Sequence, residues 1–355
     1  MEAESLPKGP GLRDSLLRFV SQYGLLLMLI LTIIVFSLLL PRTFPTAFNL
    51  RSILNQQSVV VLLALAAMIP MTANRFDLSI GYMVGLSHIL VIGFQVNQHF
   101  PWYLAVLAVL AVGALVGWIN GLLVTRIGID AFIGTLGTGT IVYGIAYWYT
   151  GGTQVLGNLP AVFKNFDSIW LGLIPSPAVF ALVVALILWV VFEYVPLGRF
   201  LYVLGSSQRA AELTGISARR YIPLTFIASG TLTAIAGVIL ASELQVGQTA
   251  VGPDYLLPSF AGAMLGATSI RPGRMNVWGT IVAVLLLAVA VSGLQQLGGQ
   301  FYVVPLFNGS MLIVAVSLAI FAAKRRIKRS APRRAAEKST EAGARVNEDS
   351  AAQPD

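Results

Sequence analysis

The sequence predicts an all-α protein that crosses a membrane about ten times. Of its 355 residues, 56% are hydrophobic and only 11% are charged, whereas a soluble domain carries roughly 25% charged residues. The charged residues are also clustered, which leaves stretches such as 24–40 and 177–192 without any. Lipid offers the backbone no hydrogen-bond partners, so segments of this kind must cross the bilayer as helices.

Ten apolar segments approach the length of about 20 residues that spans roughly 30 Å of hydrocarbon. In chain order they are 23–40, 57–73, 80–97, 102–124, 131–150, 177–195, 222–242, 255–270, 277–297 and 302–322. The second and the eighth are short and are interrupted by proline, glycine or polar residues. Each of these two is therefore either a full span or a re-entrant or unwound segment.

The basic residues predict the orientation of the ten segments. Cytoplasmic loops of membrane proteins carry an excess of lysine and arginine. With the N-terminus in the cytoplasm and alternating crossings, all but three of the 23 lysines and arginines fall on the cytoplasmic side. The three exceptions are Arg42, Arg51 and Lys164. We therefore predict ten helices with both termini in the cytoplasm.

The chain divides into a membrane domain and two flanking segments. Residues 1–22 are predicted as a cytoplasmic N-terminal segment and 23–322 as the transmembrane domain. No small-residue cleavage site follows the first apolar run, so it is interpreted as an uncleaved helix rather than a signal peptide. Residues 323–355 are basic and poor in large apolar side chains, which predicts a disordered cytoplasmic tail.

Several chemical functions are excluded by composition. The chain has no cysteine and two histidines, so neither a metal site nor a cofactor is predicted. No catalytic motif is present, and none of the five lysines follows a glycine as in a Walker A loop,. We therefore expect a protein that is not an enzyme, with any ATP hydrolysis on a separate chain. The net charge of +8 reflects topology, not nucleic-acid binding.

A polar segment lies between the second and third predicted helices. It places Arg75 and Asp77 at the edge of a span, where a charge is costly unless it pairs or lines a cavity. These two side chains are expected to pair with each other or with a neighbouring helix. Alternatively, Asp77 and Ser79 cap the third helix in a helix-breaking turn. His88 is interpreted as a hydrogen-bonded packing residue rather than a proton relay. The candidate residues for a substrate pathway are Asn74, Arg75, Asp77, Ser79 and His88.

The longest inner loop, 196–221, is polar, basic and predicted helical between Gly205 and Gly215. A short helix of this kind either docks in a groove of another subunit or lies as an interfacial or solvated loop. The candidate docking residues are Gly205, Arg209, Ala210, Ala211, Glu212, Leu213, Thr214, Gly215 and Ile216.

Two similar tripeptides suggest an internal repeat. Residues 120–122 (NGL) close the fourth predicted helix, and 292–294 (SGL) lie near the end of the ninth. If helices one to five match six to ten, the odd number makes the repeats inverted, as in many transporters. Chance resemblance explains the two tripeptides equally well.

Four stretches together resemble a known family, the membrane permeases of ribose/xylose-type monosaccharide ABC importers, which include autoinducer-2 permeases. They are FDLSIG at 76–81, NGL at 120–122 with AFIGTLG at 131–137, GRFLYVLG at 198–205 with AAELTGI at 210–216, and LGATS at 265–269 with Gly273 and Gly279-Thr280. The sequence departs from the family at 74–76, where Asn-Arg-Phe replaces the common Gly-Gly-Ile, and at 270–274. The first departure leaves the identity of the sugar open.

The resemblance implies a permease subunit in the cell inner membrane that moves a monosaccharide or polyol delivered by a periplasmic binding protein. It also implies a dimer of two permease chains surrounded by lipid, with two ATPase subunits seated on residues 205–216. The alternative function is an ion-coupled secondary transporter. That class needs buried acidic or histidine side chains, for which Asp77 and His88 are the candidates. The solute, its contacts and the direction of transport stay open.

Overall fold

Helices form most of residues 12–172 and 174–318, the part of the chain that the computed structural model describes. The helices are α1 (Leu12–Leu39), α2 (Ala47–Thr72), α3 (Ser79–Val96), α4 (Trp102–Leu122), α5 (Ala131–Thr150), α6 (Ala161–Lys164), α7 (Ser176–Glu193), α8 (Pro196–Ser206), α9 (Gln208–Leu213), α10 (Ala218–Leu244), α11 (Leu256–Gly266), α12 (Val277–Gln296) and α13 (Val303–Leu318). A π-helical turn, Leu123–Ile127, extends α4, and 3-10 turns occupy Asn165–Asp167 and Gly252–Tyr255.

Seven helices of the described chain are long and apolar enough to cross a membrane. They are α1, α2, α3, α4, α7, α10 and α12. Three further helices lie where the fifth, eighth and tenth spans were predicted: α5, which carries four threonines and four glycines, α11 with 11 residues, and the short α13. The all-α, multi-pass class is therefore confirmed, while the count of ten crossings stays a prediction.

The second helix is longer than the sequence predicted. The expected segment began at residue 57, but α2 begins at Ala47 and runs for 26 residues. Thr46 caps it by accepting a hydrogen bond from the Asn49 backbone N–H at 3.2 Å, and Pro70 lies within its last turn. The polar residues 55–57 therefore lie on a continuous helix and do not form a loop.

The eighth predicted segment is not a continuous α-helix, which agrees with the interpretation of a re-entrant or unwound segment. Only Leu256–Gly266 is α-helical, which falls short of a full span,. The 3-10 turn Gly252–Tyr255 precedes it, and α10 ends at Gln245 in a left-handed conformation. Whether this segment crosses the membrane stays a prediction.

Helices α2, α3 and α10 form the centre of the bundle. Every residue of α2 from Ser58 to Thr72 is buried, and α10 packs along α3 and α4. A side chain at Gly230 would collide with the Gly113 carbonyl oxygen, and one at Gly117 would collide with that of Phe226. Glycine therefore sets the close approach of α4 to α10, as is typical of membrane helices.

The loop between α5 and α7 carries the strands of the described chain. The short strands β1 (Ile169–Leu171) and β2 (Ile174–Pro175) pair antiparallel, and a backbone bridge joins Val155 to Gly247. The loop is thus tied to the segment that follows α10. The predicted disordered tail, and the first eleven residues of the predicted N-terminal segment, lie outside the described residues.

Candidate functional site

A buried carboxylate organises the turn between α2 and α3. Asp77 is 1% exposed. Its Oδ1 accepts from the Ser79 backbone N–H at 3.1 Å and from Ser79 Oγ at 2.5 Å. Its Oδ2 accepts from Ser229 Oγ on α10 at 2.8 Å. Burial raises the pKa of the Asp77 carboxyl, and the hydrogen bonds from Ser79 and Ser229 oppose that rise,.

The hydrogen bonds continue from Asp77 into two further helices. Asn120 Nδ2 on α4 donates to Ser79 Oγ at 2.9 Å, and Thr138 Oγ1 on α5 donates to Asn120 Oδ1 at 2.6 Å. Thr135, also on α5, accepts from the Leu78 backbone N–H at 2.9 Å. One polar cluster therefore joins α3, α4, α5 and α10 at the end of α3 that follows the turn.

Arg75 and Asp77 each bind a neighbouring helix and do not pair with each other. The Arg75 guanidinium donates to Gln208 Oε1 on α9 at 2.7 Å, while Asp77 is held by serines. The helix-breaking turn expected before α3 is present, because Asp77 accepts a hydrogen bond from the first backbone N–H of α3. The cap position itself is occupied by Leu78, whose side chain makes no capping hydrogen bond. Ser79 is thus a donor to Asp77 and not the cap.

The other two pathway candidates have separate structural roles. Asn74 has φ 56° and follows the end of α2, where asparagine tolerates the left-handed conformation. His88 is 0% exposed, and its Nε2 lies 2.7 Å from the Val246 carbonyl oxygen. It sits nine residues beyond Ser79, or about 14 Å along the helix axis. The structure does not bring His88 to the Asp77 cluster.

The inner loop contains two helices where one was predicted between Gly205 and Gly215. The chain breaks at Ser207, which has an extended backbone (φ −163°, ψ 106°). The Ser207 hydroxyl accepts from the Ala210 backbone N–H at 3.3 Å. Serine favours this N-cap conformation, so it ends α8 and starts α9. The helix predicted between Gly205 and Gly215 is therefore α9, and α8, which precedes it, was not predicted.

The end of α9 is fixed by a glycine. Gly215 has φ 84°, a conformation in which an L side chain is strained. The Ile216 N–H then returns to the Ala211 carbonyl oxygen at 2.9 Å, the pattern of a Schellman motif. The sequence Thr214-Gly215-Ile216 thus ends α9 sharply.

Three contacts attach the α8–α9 segment to the bundle. Gly205 lies directly against the Thr72 carbonyl oxygen at the end of α2, leaving no room for a side chain. Arg75 binds Gln208, as described above, and Ala211 is fully buried. The segment is therefore seated on the same turn that Asp77 holds.

The opposite face of α9 is exposed. Arg209, Ala210, Glu212 and Leu213 of α9 and Thr214, which follows it, are all exposed. Leu213 is 77% exposed although it is the largest apolar side chain there. A protruding leucine among polar residues, on a helix whose inner side is fixed, is a geometry that suits insertion into a groove of a partner.

A second set of contacts holds α7 and α8 to the loop between α11 and α12. Tyr202 donates from its hydroxyl to the Met275 carbonyl oxygen at 2.6 Å. The Arg274 guanidinium lies 3.9 Å from the centre of the Tyr202 ring, and Arg271 forms an ion pair with Glu193 at 2.5 Å. Burial raises the pKa of the Tyr202 hydroxyl. Together with the contacts to the end of α2, these contacts link the α8–α9 segment to both halves of the chain.

Residues 49–320 match the family model of the permease component of branched-chain amino acid transport systems. The chain belongs to this family of transport permeases. The matched region begins in the first turn of α2 and ends beyond the last described residue, so it includes both the Asp77 cluster and the α8–α9 segment.

Curated relatives cover nearly the same region. The D-allose transport system permease protein AlsC of Escherichia coli (strain K12) is 31% identical over 300 residues, or 84% of this chain and 92% of its own. The ribose import permease protein RbsC of Bacillus subtilis (strain 168) is 33% identical with the same coverage. The autoinducer 2 import system permease protein LsrD of Salmonella paratyphi B is 29% identical over 84% of this chain and 91% of its own. No solved structure matches the chain.

The relatives confirm the resemblance to sugar-importer permeases that the four stretches indicated. Several residues of the site were nevertheless missing from the sequence interpretation. Ser229, Asn120 and Gln208 are ordinary polar residues in their segments, and nothing in their sequence context marks them. Only Asn120 carried a signal, through its place in the NGL tripeptide.

Proposed function

We propose that the chain is the permease subunit of an ATP-driven importer that carries a monosaccharide or polyol across the bacterial inner membrane. The observation that carries this proposal is the similarity, over 92% of their length, to permeases named for D-allose and ribose. The family description names branched-chain amino acids. The named relatives favour a neutral sugar instead.

The α8–α9 segment is the proposed seat of the ATPase subunit. Its exposed face presents Leu213, and its inner face rests on the end of α2 through Gly205 and the Arg75–Gln208 hydrogen bond. A displacement of α9 by the ATPase would therefore act on the α2–α3 turn. The hydrogen bonds of the Asp77 cluster would transmit this displacement from the turn to α3, α4, α5 and α10.

This route gives the predicted pathway residues a different proposed role. Both oxygens of Asp77 are engaged by Ser79 and Ser229, and Arg75 binds α9. We therefore assign Asn74, Arg75, Asp77 and Ser79 to transmitting motion between the ATPase and the helices, and His88 to packing. None of them needs to contact the solute for this role.

The remaining features of the assembly follow from loop charge and from the family resemblance. The chain crosses the membrane ten times with both termini inside, and two copies form the permease core. A periplasmic binding protein delivers the solute to the outer face. The ten helices are arranged as an inverted five-plus-five repeat.

Uptake in cells separates the proposal from its alternative, an ion-coupled transporter. Cells expressing the permease with its ATPase and binding protein are assayed with radiolabelled aldopentoses and aldohexoses. We expect uptake that is lost when the Walker A lysine of the ATPase is replaced and that survives a proton ionophore for as long as ATP is maintained. Uptake that persists without ATPase activity and collapses with the ionophore would establish the alternative.

A further inference from the structure

A polar stripe follows one face of α2 near its first turns. The residues that face a cleft are Asn49, Ser52, Ile53, Gln56 and Gln57. They recur at the spacing of a single helical face. In a membrane helix, such a face would ordinarily be apolar and would face lipid or pack against apolar neighbours. Four of the five are polar but uncharged.

A matching stripe lies on α12 and faces the first. It consists of Ala288, Val291, Ser292, Gln295 and Gln296, with the same helical spacing. The two helices run antiparallel, so the start of α2 meets the end of α12. The two stripes enclose a cleft of about 280 Å³, close to the lower end of the range for pockets that hold small molecules.

The base of the cleft is a fixed hydrogen-bonded unit. Asn49 Nδ2 donates to the Phe44 carbonyl oxygen at 2.9 Å. Asn49 Oδ1 accepts from Ser292 Oγ and from Gln296 Nε2, each at 2.9 Å. The Gln296 Oε1 atom is buried without a hydrogen-bond partner. A buried acceptor without a partner is costly, so a further hydrogen-bond donor would stabilise the Gln296 side chain.

The cleft lies at the ends of α2 and α12 that the loop charges place outside the cell. Eight residues separate Asn49 from Gln57, so the stripe runs about 12 Å along the helix. The cleft therefore begins where a binding protein would release its solute. It extends to Gln57, the first residue of the second predicted span.

We propose that this cleft, here named the amide cleft, is the outward-facing solute site of the permease and receives a neutral polyhydroxylated molecule. The proposal rests on the function proposed above and adds the place where the solute enters. Amide and hydroxyl groups both donate and accept, which matches sugar hydroxyls. The lining residues carry no charge, so a zwitterionic amino acid would lose hydration without ionic partners.

Uptake measurements test the role of the exposed amides. In cells with the complete importer, Gln57→Leu and Gln295→Leu should each lower the maximal uptake rate about threefold to tenfold, the effect of one lost hydrogen bond. Leu50→Ala lies on an exposed part of the same helix and should leave uptake unchanged. The panel contains aldopentoses, aldohexoses and pentitols. Normal rates in both glutamine variants would overturn the amide cleft and leave the importer function intact.

If the unaltered importer moves no member of that panel, the proposed function fails and the cleft proposal fails with it. Uptake would also be lost if a variant did not fold. Membrane insertion and co-purification with the ATPase are therefore measured for each variant. A variant that is absent from the membrane is replaced by Gln57→Asn or Gln295→Asn, which keep an amide and should retain more uptake than leucine.

Cysteine labelling gives a second readout that does not depend on transport. The chain has no cysteine, so Gln57→Cys and Ile187→Cys each introduce one thiol into otherwise unaltered protein. Ile187 is the control, because it is 58% exposed in the middle of the apolar helix α7 and would face lipid. A membrane-impermeant methanethiosulfonate added from outside should react about tenfold faster at position 57, because the reactive thiolate requires water. The transported sugar, with its binding protein, should slow that reaction, and L-leucine should not.

Three results would overturn the proposal. Equally slow labelling at positions 57 and 187 would show that no water-accessible cleft exists. Rapid labelling that no sugar slows would show a hydrated vestibule without a solute site. Protection by L-leucine in place of the sugars would assign the cleft to an amino acid.

Discussion

Replacing Leu213 by alanine should weaken the association of the permease with its ATPase by about thirtyfold. The side chain is 77% exposed, so docking in a groove would bury nearly all of it. Alanine retains one of the four side-chain carbons. At about 0.8 kcal/mol per buried carbon, the loss is roughly 2 kcal/mol, which corresponds to about thirtyfold in the dissociation constant. Alanine favours helix more than leucine does, so α9 should persist.

Biolayer interferometry can measure this change with immobilised detergent-solubilised permease and purified ATPase subunit. Leu156→Ala is a matched control, because Leu156 is 67% exposed in the loop between α5 and α7, on the opposite side of the membrane in our topology. The control should bind the ATPase like the unaltered chain. If the affinity of Leu213→Ala for the ATPase also stays within a factor of two of that of the unaltered chain, the docking role of this residue is refuted.

Three further changes test the cluster and the packing that surround the docking segment. Asp77→Ala leaves the donors of Ser79 and Ser229 without an acceptor and should cost about 2–4 kcal/mol, seen as a lower unfolding temperature by tryptophan fluorescence. Asp77→Asn keeps an acceptor and should lose less, and equal losses would argue against the hydrogen bonds. Gly230→Leu collides with the Gly113 carbonyl and should abolish folded protein in detergent gel filtration. Gly144→Leu is the control, because nothing lies within 4 Å of that position, and it should leave folded protein in the same profile. A normal gel-filtration profile of Gly230→Leu would contradict the α4–α10 packing. Gln208→Ala removes the acceptor of Arg75 and should reduce uptake while ATPase binding stays unchanged; loss of binding instead would place Gln208 in the docking surface.

Hydropathy and charge predicted most of the helices because each lipid-facing helix must be apolar along its length. The limits of α3, α5 and α12 differ from the prediction by a residue or so. The prediction failed at the start of α2, because the predicted segment begins at residue 57 and the helix begins at Ala47. Gln56 and Gln57 are tolerated there because they face the glutamines of α12. A single segment read alone does not reveal that the polar face of one helix has a polar partner on another.

The candidate site was predictable only where its contacts are local. Asp77 accepts hydrogen bonds from Ser79, two residues away, and the turn was one of the two alternatives. Its other partner, Ser229, is 152 residues distant, and a serine in an apolar helix is common. The partner of Arg75 could not be chosen between the two alternatives for the same reason, since Gln208 lies in a different segment. The break at Ser207 was missed because the prediction bounded the helix by glycines alone.

Reconstitution tests the central claim of an ATP-driven sugar importer most directly. The purified permease and ATPase are placed in proteoliposomes, with the binding protein and radiolabelled sugar on the side of the outer loops. ATP is supplied on the side of α9. We predict sugar accumulation against its gradient only when ATP is on the α9 side, and none with an ATPase that cannot hydrolyse it. Accumulation driven by an imposed proton gradient without ATP would contradict the account.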